Sequence, residues 1–170
     1  WMEAGVIVPW QMYQQYGDVR ILEQHYASMV AYMDYLERRA VRYVQPFGGF
    51  GDWLAIEPTN SMLTNTAYSA YDALIMEQVA KRLGKDADQR RFRTFYENVK
   101  RSFNDLFVNE EGRTFAPTVE SIFGKDSQVG MWPGTAATEA KIVDTQTSYV
   151  VPLQFDLFNE KNKPLAIRHL

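Results

Sequence analysis

The sequence predicts an all-α protein built from helical hairpins arranged in layers. Apolar residues recur at steps of three and four over 22–36 and again over 92–106, as on one face of an amphipathic helix. Between them, the segment 60–83 is apolar on nearly every side, which is typical of a helix buried by several neighbours. A buried helix followed by an amphipathic one indicates antiparallel hairpins, and the sequence has no fixed-period repeat that would favour a solenoid.

The composition limits the classes of protein to consider. The 170 residues are 46% apolar and 14% aromatic, so we expect a packed core and no extensive disorder. The net charge is -3 and the Lys and Arg residues are scattered, so we expect no nucleic-acid partner. No apolar run approaches the roughly 18–20 residues of a membrane span. Cysteine is absent, which excludes disulfides and thiolate metal sites but leaves the cellular compartment undecided.

The first hairpin is predicted from two segments. Residues 5–16 form a short apolar and aromatic helix, with Pro9 expected in its first turn, where proline is tolerated. Asp18 follows Gly17 and is predicted to cap a long helix, because an aspartate oxygen can accept a free N–H group of a first helical turn. The core face of that helix carries Leu22, Tyr26, Met29, Met33 and Leu36.

A second hairpin follows a glycine-rich loop over 44–58. Its first helix is predicted to begin within 60–65 and to end at Leu83, with Gly84 at the C-cap. Asp86 or Asp88 is predicted to cap the next helix. The core face of this second helix carries Phe92, Phe95, Tyr96, Val99, Phe103 and Leu106.

The last third of the chain is less regular. A small β-hairpin is predicted near 108–118, with Glu111-Gly112 in its turn. After a polar stretch, Asp144 or Thr145 is predicted to cap a helix that opens with Thr145-Gln146-Thr147. Pro152 is expected either in the first turn of this helix or at a kink. A final helix is predicted to start near Pro164.

The pair Asp52-Trp53, just after the glycines of the 44–58 loop, is the main candidate site. The C–H face of a pyranose ring stacks on an indole, and its hydroxyl groups donate hydrogen bonds to a carboxylate. The pair therefore favours a sugar-binding site. The alternative is that Trp53 fills the core beneath the loop and that Asp52 only closes the turn after Gly51.

Other candidates have a weaker basis in the sequence. Trp132 is interpreted as a loop anchor, with a lid over a ligand as the alternative. Glu57, Asp72 and Glu77 are carboxylates without a supporting motif, although Asp72 and Glu77 could form a polar pair on their apolar helix. The two histidines lack the spacing of metal ligands, and no nucleotide, phosphate or calcium motif is present, so no cofactor or metal is predicted.

An ordered set of segments extends this interpretation. In its order and spacing the chain resembles the catalytic domain of bacterial α-L-rhamnosidases of glycoside hydrolase family 78, over nearly its whole length and least over 115–144. The segments that carry the resemblance are Trp1-Met2-Glu3-Ala4, Val6-Ile7-Val8-Pro9-Trp10, Tyr13-Gln14-Gln15-Tyr16-Gly17-Asp18, Tyr26-Ala27-Ser28-Met29-Val30, Tyr32-Met33-Asp34-Tyr35-Leu36, Gly51-Asp52-Trp53-Leu54-Ala55, Ala80-Lys81-Arg82-Leu83-Gly84-Lys85 and Thr145-Gln146-Thr147-Ser148-Tyr149.

The resemblance implies an (α/α)6 toroid, in which six helical hairpins surround a funnel that holds the sugar. Asp72 and Glu77 could then face this funnel as a pair. The helices predicted here would form about half of it, so residues 1–170 are expected to be part of such a catalytic domain, cut at both ends. The resemblance also implies inverting hydrolysis by an acid and a base roughly 6.5–9.5 Å apart. Both catalytic carboxylates would then lie outside residues 1–170.

The resemblance assigns the substrate-binding residues Trp53, Asp52, Trp1 and Glu3. Trp53 would pack against the rhamnose ring, and Trp1 would lie at the funnel wall. The family usually has Gly-Asp where this chain has Met2-Glu3. Glu3 keeps the carboxylate but on a longer side chain, and Met2 replaces a glycine that would let a ligand approach the backbone closely. Both changes are expected to affect the geometry of the subsite or the choice of sugar.

The expected partners are therefore a carbohydrate substrate, a rhamnoside, and the remaining half of the toroid. Two alternatives stay open. One is another inverting toroid glycosidase with a different sugar specificity. The other is a helical interaction scaffold, which would bury the indole of Trp53 and turn Asp52 to bulk solvent, whereas a sugar site would place both on one concave surface.

Overall fold

The computed structural model of the chain describes residues 2–46, 52, 54–124 and 140–170. Over these residues the fold is mainly helical with one small antiparallel sheet, as the predicted all-α class requires. The elements in chain order are α1 Ala4–Tyr16, α2 Arg20–Arg39, α3 Ser61–Arg82, α4 Asp86–Phe107, β1 Phe115–Ala116, α5 Val119–Phe123, β2 Lys141–Ile142, α6 Gln146–Gln154 and α7 Lys163–Arg168.

Helix α3 is the centre of the packing. It packs most extensively against α4, and it also contacts α1, α2 and α6. This explains why its apolar residues lie on nearly every side, whereas α2 and α4 are amphipathic. Small side chains allow the neighbouring helices to approach α3 closely, since Ala67, Ala70, Ala73 and Ala80 are fully buried.

The helix ends follow local chemistry. The side-chain oxygen of Asn60 accepts the Leu63 N–H at 3.3 Å and caps α3 within the predicted range. Asp18 accepts the N–H of Arg20, the first residue of α2, at 3.0 Å. The prediction for α4 was wrong, because Lys85 occupies its N-cap without a side-chain cap bond. Asp88 instead accepts a hydrogen bond from the Tyr26 hydroxyl on α2, at 2.6 Å.

The prediction for Pro9 was wrong, and for Pro152 the first-turn alternative is excluded. Pro9 is the sixth residue of α1, beyond its first turn, so the helix lacks the bond that this residue would donate to the Gly5 carbonyl oxygen. Pro9 is buried, so its ring packs into the core. Pro152 is the seventh residue of α6, which ends two residues later at Gln154. Neither proline therefore lies in a first helical turn.

The turn predicted at Glu111-Gly112 is present, but the sheet uses a different partner. The Gly112 N–H donates to the Asn109 carbonyl oxygen at 3.0 Å, and Val108 and Thr114 form a single antiparallel bridge. Strand β1 then pairs with β2, with Phe115 opposite Ile142. Because α4 continues to Phe107, the chain before Val108 offers no further extended backbone to pair with β1.

Aromatic side chains join the C-terminal helices to the α3–α4 hairpin. The rings of Tyr71 and Phe155 are stacked with their centroids 4.3 Å apart, and Phe103 meets Phe158 edge to face at 5.6 Å. The Tyr96 hydroxyl donates to the carbonyl oxygens of Phe155 and Asp156. No helix within the described residues combines the length and apolar character needed to cross a membrane.

Candidate functional site

An open cleft of about 610 Å³ lies between the start of α1, the end of α2 and the first half of α3. The residue at position 52 and the first turns of α6 complete its wall. The polar and aromatic side chains that line it are Glu3, Tyr32, Tyr35, Arg39, Gln45, Asp52, Thr64, Asn65, Tyr68 and Thr147. Carboxylates, hydroxyl groups and amides beside aromatic rings form the type of surface that binds a ligand with many hydroxyl groups.

The fold brings Glu3 and Asp52 to this same cleft although they are far apart in sequence. Both are partly exposed. Trp53 and Trp1, the two indoles predicted to contact the sugar, lie outside the described residues, as does Trp132. Of the four predicted substrate-binding residues, the structure therefore describes the two carboxylates, Glu3 and Asp52.

Asp52 is held at the cleft by a backbone group seven residues away. Its two carboxylate oxygens accept the Thr59 N–H at 3.0 and 3.2 Å. The Thr59 hydroxyl in turn forms a 2.6 Å hydrogen bond with the Thr145 hydroxyl. Thr145 caps α6 by accepting the Ser148 N–H at 3.2 Å, as predicted. Asp52 thus closes a loop and lines the cleft at the same time.

Glu3 occupies the N-cap position of α1. Its side chain makes no cap bond, but its carbonyl oxygen accepts the N–H groups of Val6 at 2.9 Å and Ile7 at 2.8 Å. Burial, and then the negative charge of Glu3, raise the pKa of Tyr32 on α2 well above its ordinary value. Glu3 therefore lies in a partly desolvated and acidic part of the cleft.

Asp72 lies one helical turn beyond Tyr68 on α3 and is fully buried. Neither of its carboxylate oxygens has a hydrogen-bond partner within the described part of the chain. Burial, and then the nearby charge of Glu3, hold the pKa of Asp72 well above its ordinary value, so the neutral acid is favoured. Asp72 is not among the residues that line the cleft.

The predicted pairing of Asp72 with Glu77 is wrong. Glu77 lies near Arg93 of α4 at 3.5 Å, in an ion pair without hydrogen-bond geometry. Neither acid lines the cleft, because α3 is surrounded by other helices at these positions. Glu57 is exposed and also lies outside the cleft.

Sequence reasoning missed several residues that line the cleft from the end of α2 and from α3. Arg39 was not among the candidate residues, yet it lines the cleft, and its guanidinium donates to the Tyr35 hydroxyl and lies 5.1 Å from the centre of that ring. Asn65, from α3, donates to the Pro46 carbonyl oxygen at 3.2 Å and so fixes the chain where it enters the glycine-rich loop. The available signal was the presence of Tyr, Arg and Asn near helix ends beside that loop.

The described residues contain no group of His, Asp and Glu side chains arranged to hold a metal ion. The ring Nε2 of His169 lies 3.0 Å from the Glu111 carbonyl oxygen, and His25 is exposed on α2. The cleft chemistry is therefore that of carboxylates, hydroxyl groups, amides and one guanidinium.

The fold and the cleft place the chain in the class of helical-hairpin domains with an aromatic cleft that carries carboxylates. The family described as the bacterial alpha-L-rhamnosidase 6 hairpin glycosidase domain matches residues 1–170. The chain belongs to this family. The resemblance inferred from the ordered motifs and the six-hairpin fold class are both confirmed.

Curated relatives extend over far more sequence than this chain. An alpha-L-rhamnosidase of Streptomyces avermitilis is 34% identical over 119 residues, which cover 69% of this chain and 11% of that protein. An alpha-L-rhamnosidase of Formosa agariphila is 28% identical over 178 residues, covering 100% of this chain and 16% of that protein. The chain thus spans less than a fifth of the length of these relatives.

Solved structures of two alpha-L-rhamnosidases also match nearly the whole of this chain over a small part of their own length. The crystal structure of Streptomyces avermitilis alpha-L-rhamnosidase complexed with L-rhamnose superposes with a TM-score of 0.76 at 27% identity, covering 98% of this chain and 14% of that one. The alpha-L-rhamnosidase from Dictyoglumus thermophilum gives a TM-score of 0.74 at 26% identity, covering 98% of this chain and 17% of that one.

Proposed function

We propose that the polypeptide carrying this sequence hydrolyses terminal α-L-rhamnosides, and that residues 1–170 form part of its (α/α)6 catalytic domain. The observation that carries the proposal is the placement of Glu3 and Asp52 in one cleft of a chain that belongs to this family. The relationship to an alpha-L-rhamnosidase whose structure contains L-rhamnose supports the choice of sugar.

Within this proposal, Asp52 and Glu3 accept hydrogen bonds from sugar hydroxyl groups. An ionised carboxylate offers about four acceptor positions, and the Thr59 N–H uses only part of the capacity of Asp52. Trp53 stacks on the apolar face of the ring, and Trp1 forms part of the funnel wall.

The acid and base of the inverting reaction come from outside residues 1–170 in this proposal. Asp72 is buried and does not line the cleft, so it cannot reach a glycosidic oxygen, while Asp52 and Glu3 are assigned to the sugar hydroxyl groups. The remaining hairpins of the toroid supply the two carboxylates, separated by roughly 6.5–9.5 Å so that a water molecule fits between them.

A second sugar specificity is favoured by one specific observation. Met2 lines the cleft with 58% of its surface exposed, and Glu3 reaches into the same space. A glutamate arm is one methylene longer than the aspartate usual in the family, so its oxygens reach different positions on a bound ring. A related hexopyranoside is the alternative substrate for the same toroid.

The test is hydrolysis of a panel of aryl glycosides, including the α-L-rhamnoside, by the full-length polypeptide. The Trp53→Ala and Asp52→Asn variants and the isolated 170 residues are assayed in parallel. Asparagine can still accept the Thr59 N–H, so Asp52→Asn removes the charge and preserves the loop closure. Glu57→Gln is the matched control, because it neutralises an exposed carboxylate in the same loop.

Rhamnoside cleavage that falls at least about tenfold in both cleft variants, a loss of roughly 1.4 kcal/mol or more, supports the proposal, provided that Glu57→Gln retains activity. Cleavage of another glycoside alone would keep the toroid and replace the sugar. A folded polypeptide that cleaves no glycoside would contradict the proposal and favour a helical scaffold.

A further inference from the structure

The loop that begins at Asp52 is joined to helix α6 by a chain of hydrogen bonds. Asp52 accepts the Thr59 N–H, the Thr59 and Thr145 hydroxyl groups are 2.6 Å apart, and Thr145 accepts the Ser148 N–H. Three bonds therefore lead from a carboxylate in the cleft to the first turn of α6, and the middle bond joins two threonines that are 86 residues apart in the chain.

The described residues of this loop, 52 and 54–58, make few contacts that would fix its conformation. Leu54 and Ile56 are 86% and 106% exposed, so the segment over 54–58 buries little apolar surface. One bond within the loop, from the Ala55 N–H to the Asp52 carbonyl oxygen at 3.0 Å, closes its first turn. Among the contacts of the described residues, the bond from the Thr59 N–H is the one that holds the Asp52 carboxylate.

Thr59 is 5% exposed, so its hydroxyl group needs a partner inside the protein. Thr145 provides that partner and is itself fixed at the start of α6. The same helix end contributes Thr147 and Val151 to the cleft wall. The hydroxyl pair thus sets the distance between the Asp52 side of the cleft and its α6 side.

We propose that Thr59 and Thr145 are positioning residues, which hold the Asp52 carboxylate at the cleft through their paired hydroxyl groups. This rests on the proposed function, in which Asp52 accepts hydrogen bonds from the sugar. The two threonines act on the substrate only through Asp52, and the pair transmits the position of α6 to the substrate-binding loop.

The decisive variant is Thr59→Val, which removes the hydroxyl group and keeps nearly the same shape and the backbone N–H. Thr59→Ser restores the hydroxyl group. Thr145→Val removes the other partner, and its matched control is Thr118→Val, because Thr118 caps α5 in the same way but does not line the cleft. The control separates the loss of a helix cap from the loss of the Thr59 contact.

The measurements are KM and kcat for an aryl α-L-rhamnoside and the exchange rate of the residue 59 amide, all in the full-length polypeptide. Loss of one hydrogen bond that positions a ligand-binding group predicts a rise in KM of about 3- to 10-fold for Thr59→Val and Thr145→Val, with kcat changed by less than about twofold. Amide exchange at residue 59 accelerates in the same variants. Thr59→Ser and Thr118→Val retain the original KM and exchange rate.

Two results would overturn the inference: unchanged exchange and KM in Thr59→Val, or a lower kcat at constant KM, as expected from a smaller folded fraction. The exchange measurement does not depend on catalysis. If the unmodified polypeptide cleaves no rhamnoside while exchange at residue 59 still accelerates in both valine variants, the positioning of Asp52 stands and the proposed function fails.

Discussion

Gly112 lies directly against Leu165, in the turn between α4 and β1. A β-carbon at position 112 would overlap the Leu165 β-carbon and lie 3.2 Å from its Cδ1 atom. The backbone of Gly112 has a φ of +76°, in the left-handed region that side chains disfavour. Shape and backbone conformation therefore both require glycine at this position.

Gly112→Ala is expected to lower the free energy of unfolding by about 2–4 kcal/mol, because overpacking adds to the backbone cost. The control is Gly84→Ala, since Gly84 has a similar φ of +67° and open space around its α-carbon. That variant should cost only about 1 kcal/mol. Thermal unfolding of the full-length protein measures both, and equal losses would show that contact with Leu165 is unimportant.

The buried carboxyl group of Asp72 makes stability depend on pH in a defined direction. Its pKa in the folded state lies well above the ordinary value of 3.8, so folding favours the protonated form. This contribution is fully present below about pH 4 and is lost as pH rises through the folded-state pKa. Asp72→Asn stays neutral at every pH, so it should gain stability relative to the native chain as pH rises.

Urea unfolding at pH 4, 6 and 8 tests this prediction. The difference between the Asp72→Asn variant and the native chain removes the contributions of all other titrating groups that the substitution leaves unchanged. Asp105→Asn is the control, because Asp105 is exposed on α4. Parallel stability profiles for Asp72→Asn and the native chain would show that Asp72 is already paired or hydrated.

Asn104 links α4 to the segment that follows α6. Its side-chain nitrogen donates to the Lys100 and Leu157 carbonyl oxygens at 2.7 and 2.8 Å. Its oxygen accepts from the Asn159 N–H at 3.0 Å and from the Asn162 side chain at 2.9 Å. Asn104→Ala leaves several of these groups buried without partners, so we expect a loss of about 2–4 kcal/mol.

Asn98→Ala provides the comparison on the same helix. Asn98 also makes side-chain hydrogen bonds, to Tyr43 at 3.1 Å and from Arg101 at 3.2 Å, but these are exposed to solvent. Water replaces such bonds, so the expected loss is below about 1 kcal/mol. Chemical denaturation midpoints of the two variants should differ clearly, and similar midpoints would contradict the importance of burial at Asn104.

The Met2-Glu3 pair is expected to set the choice of sugar. Restoring the usual family pair with Met2→Gly and Glu3→Asp should raise kcat/KM for an α-L-rhamnoside, relative to other aryl glycosides, by about threefold or more, since discrimination by one hydrogen-bonding group is worth roughly 0.5–1.5 kcal/mol. The measurement is the ratio of kcat/KM values across the panel. An unchanged ratio would mean that the longer arm of Glu3 is neutral for specificity.

Local chemistry made much of the fold predictable. Thr145, one of the two residues predicted as the cap of α6, accepts the Ser148 N–H, and α3 begins within the predicted range, because a side-chain oxygen needs only the next three residues to find a free N–H. The apolar pattern of α3 likewise indicated burial on several sides, because the pattern is contained within the consecutive residues of one helix. Helix caps and helix burial patterns both depend on residues that are close together in the sequence.

Contacts between distant segments were not predictable in this way. Strand β1 pairs with residues 141–142, and Thr59 meets Thr145 across 86 residues. Asp72 was expected to face a funnel, but periodicity cannot assign a face to a polar residue on a helix that several helices surround. Asp52 was predicted from its position beside Trp53 and Glu3 from family resemblance, but their common cleft became visible only when α1, α2 and α3 were packed together.

The hydrogen bond between Asp52 and Thr59 joins the two ends of their loop, and this affects which changes in loop length the protein can tolerate. Insertions or deletions within the exposed segment 54–58 change the size of the loop without moving its ends, and doubling its length would cost only about 0.6 kcal/mol of closure entropy. New side chains could thus be added beside the cleft while Asp52 keeps its place. Adaptation to bulkier glycans would then require no rearrangement of the helices beneath.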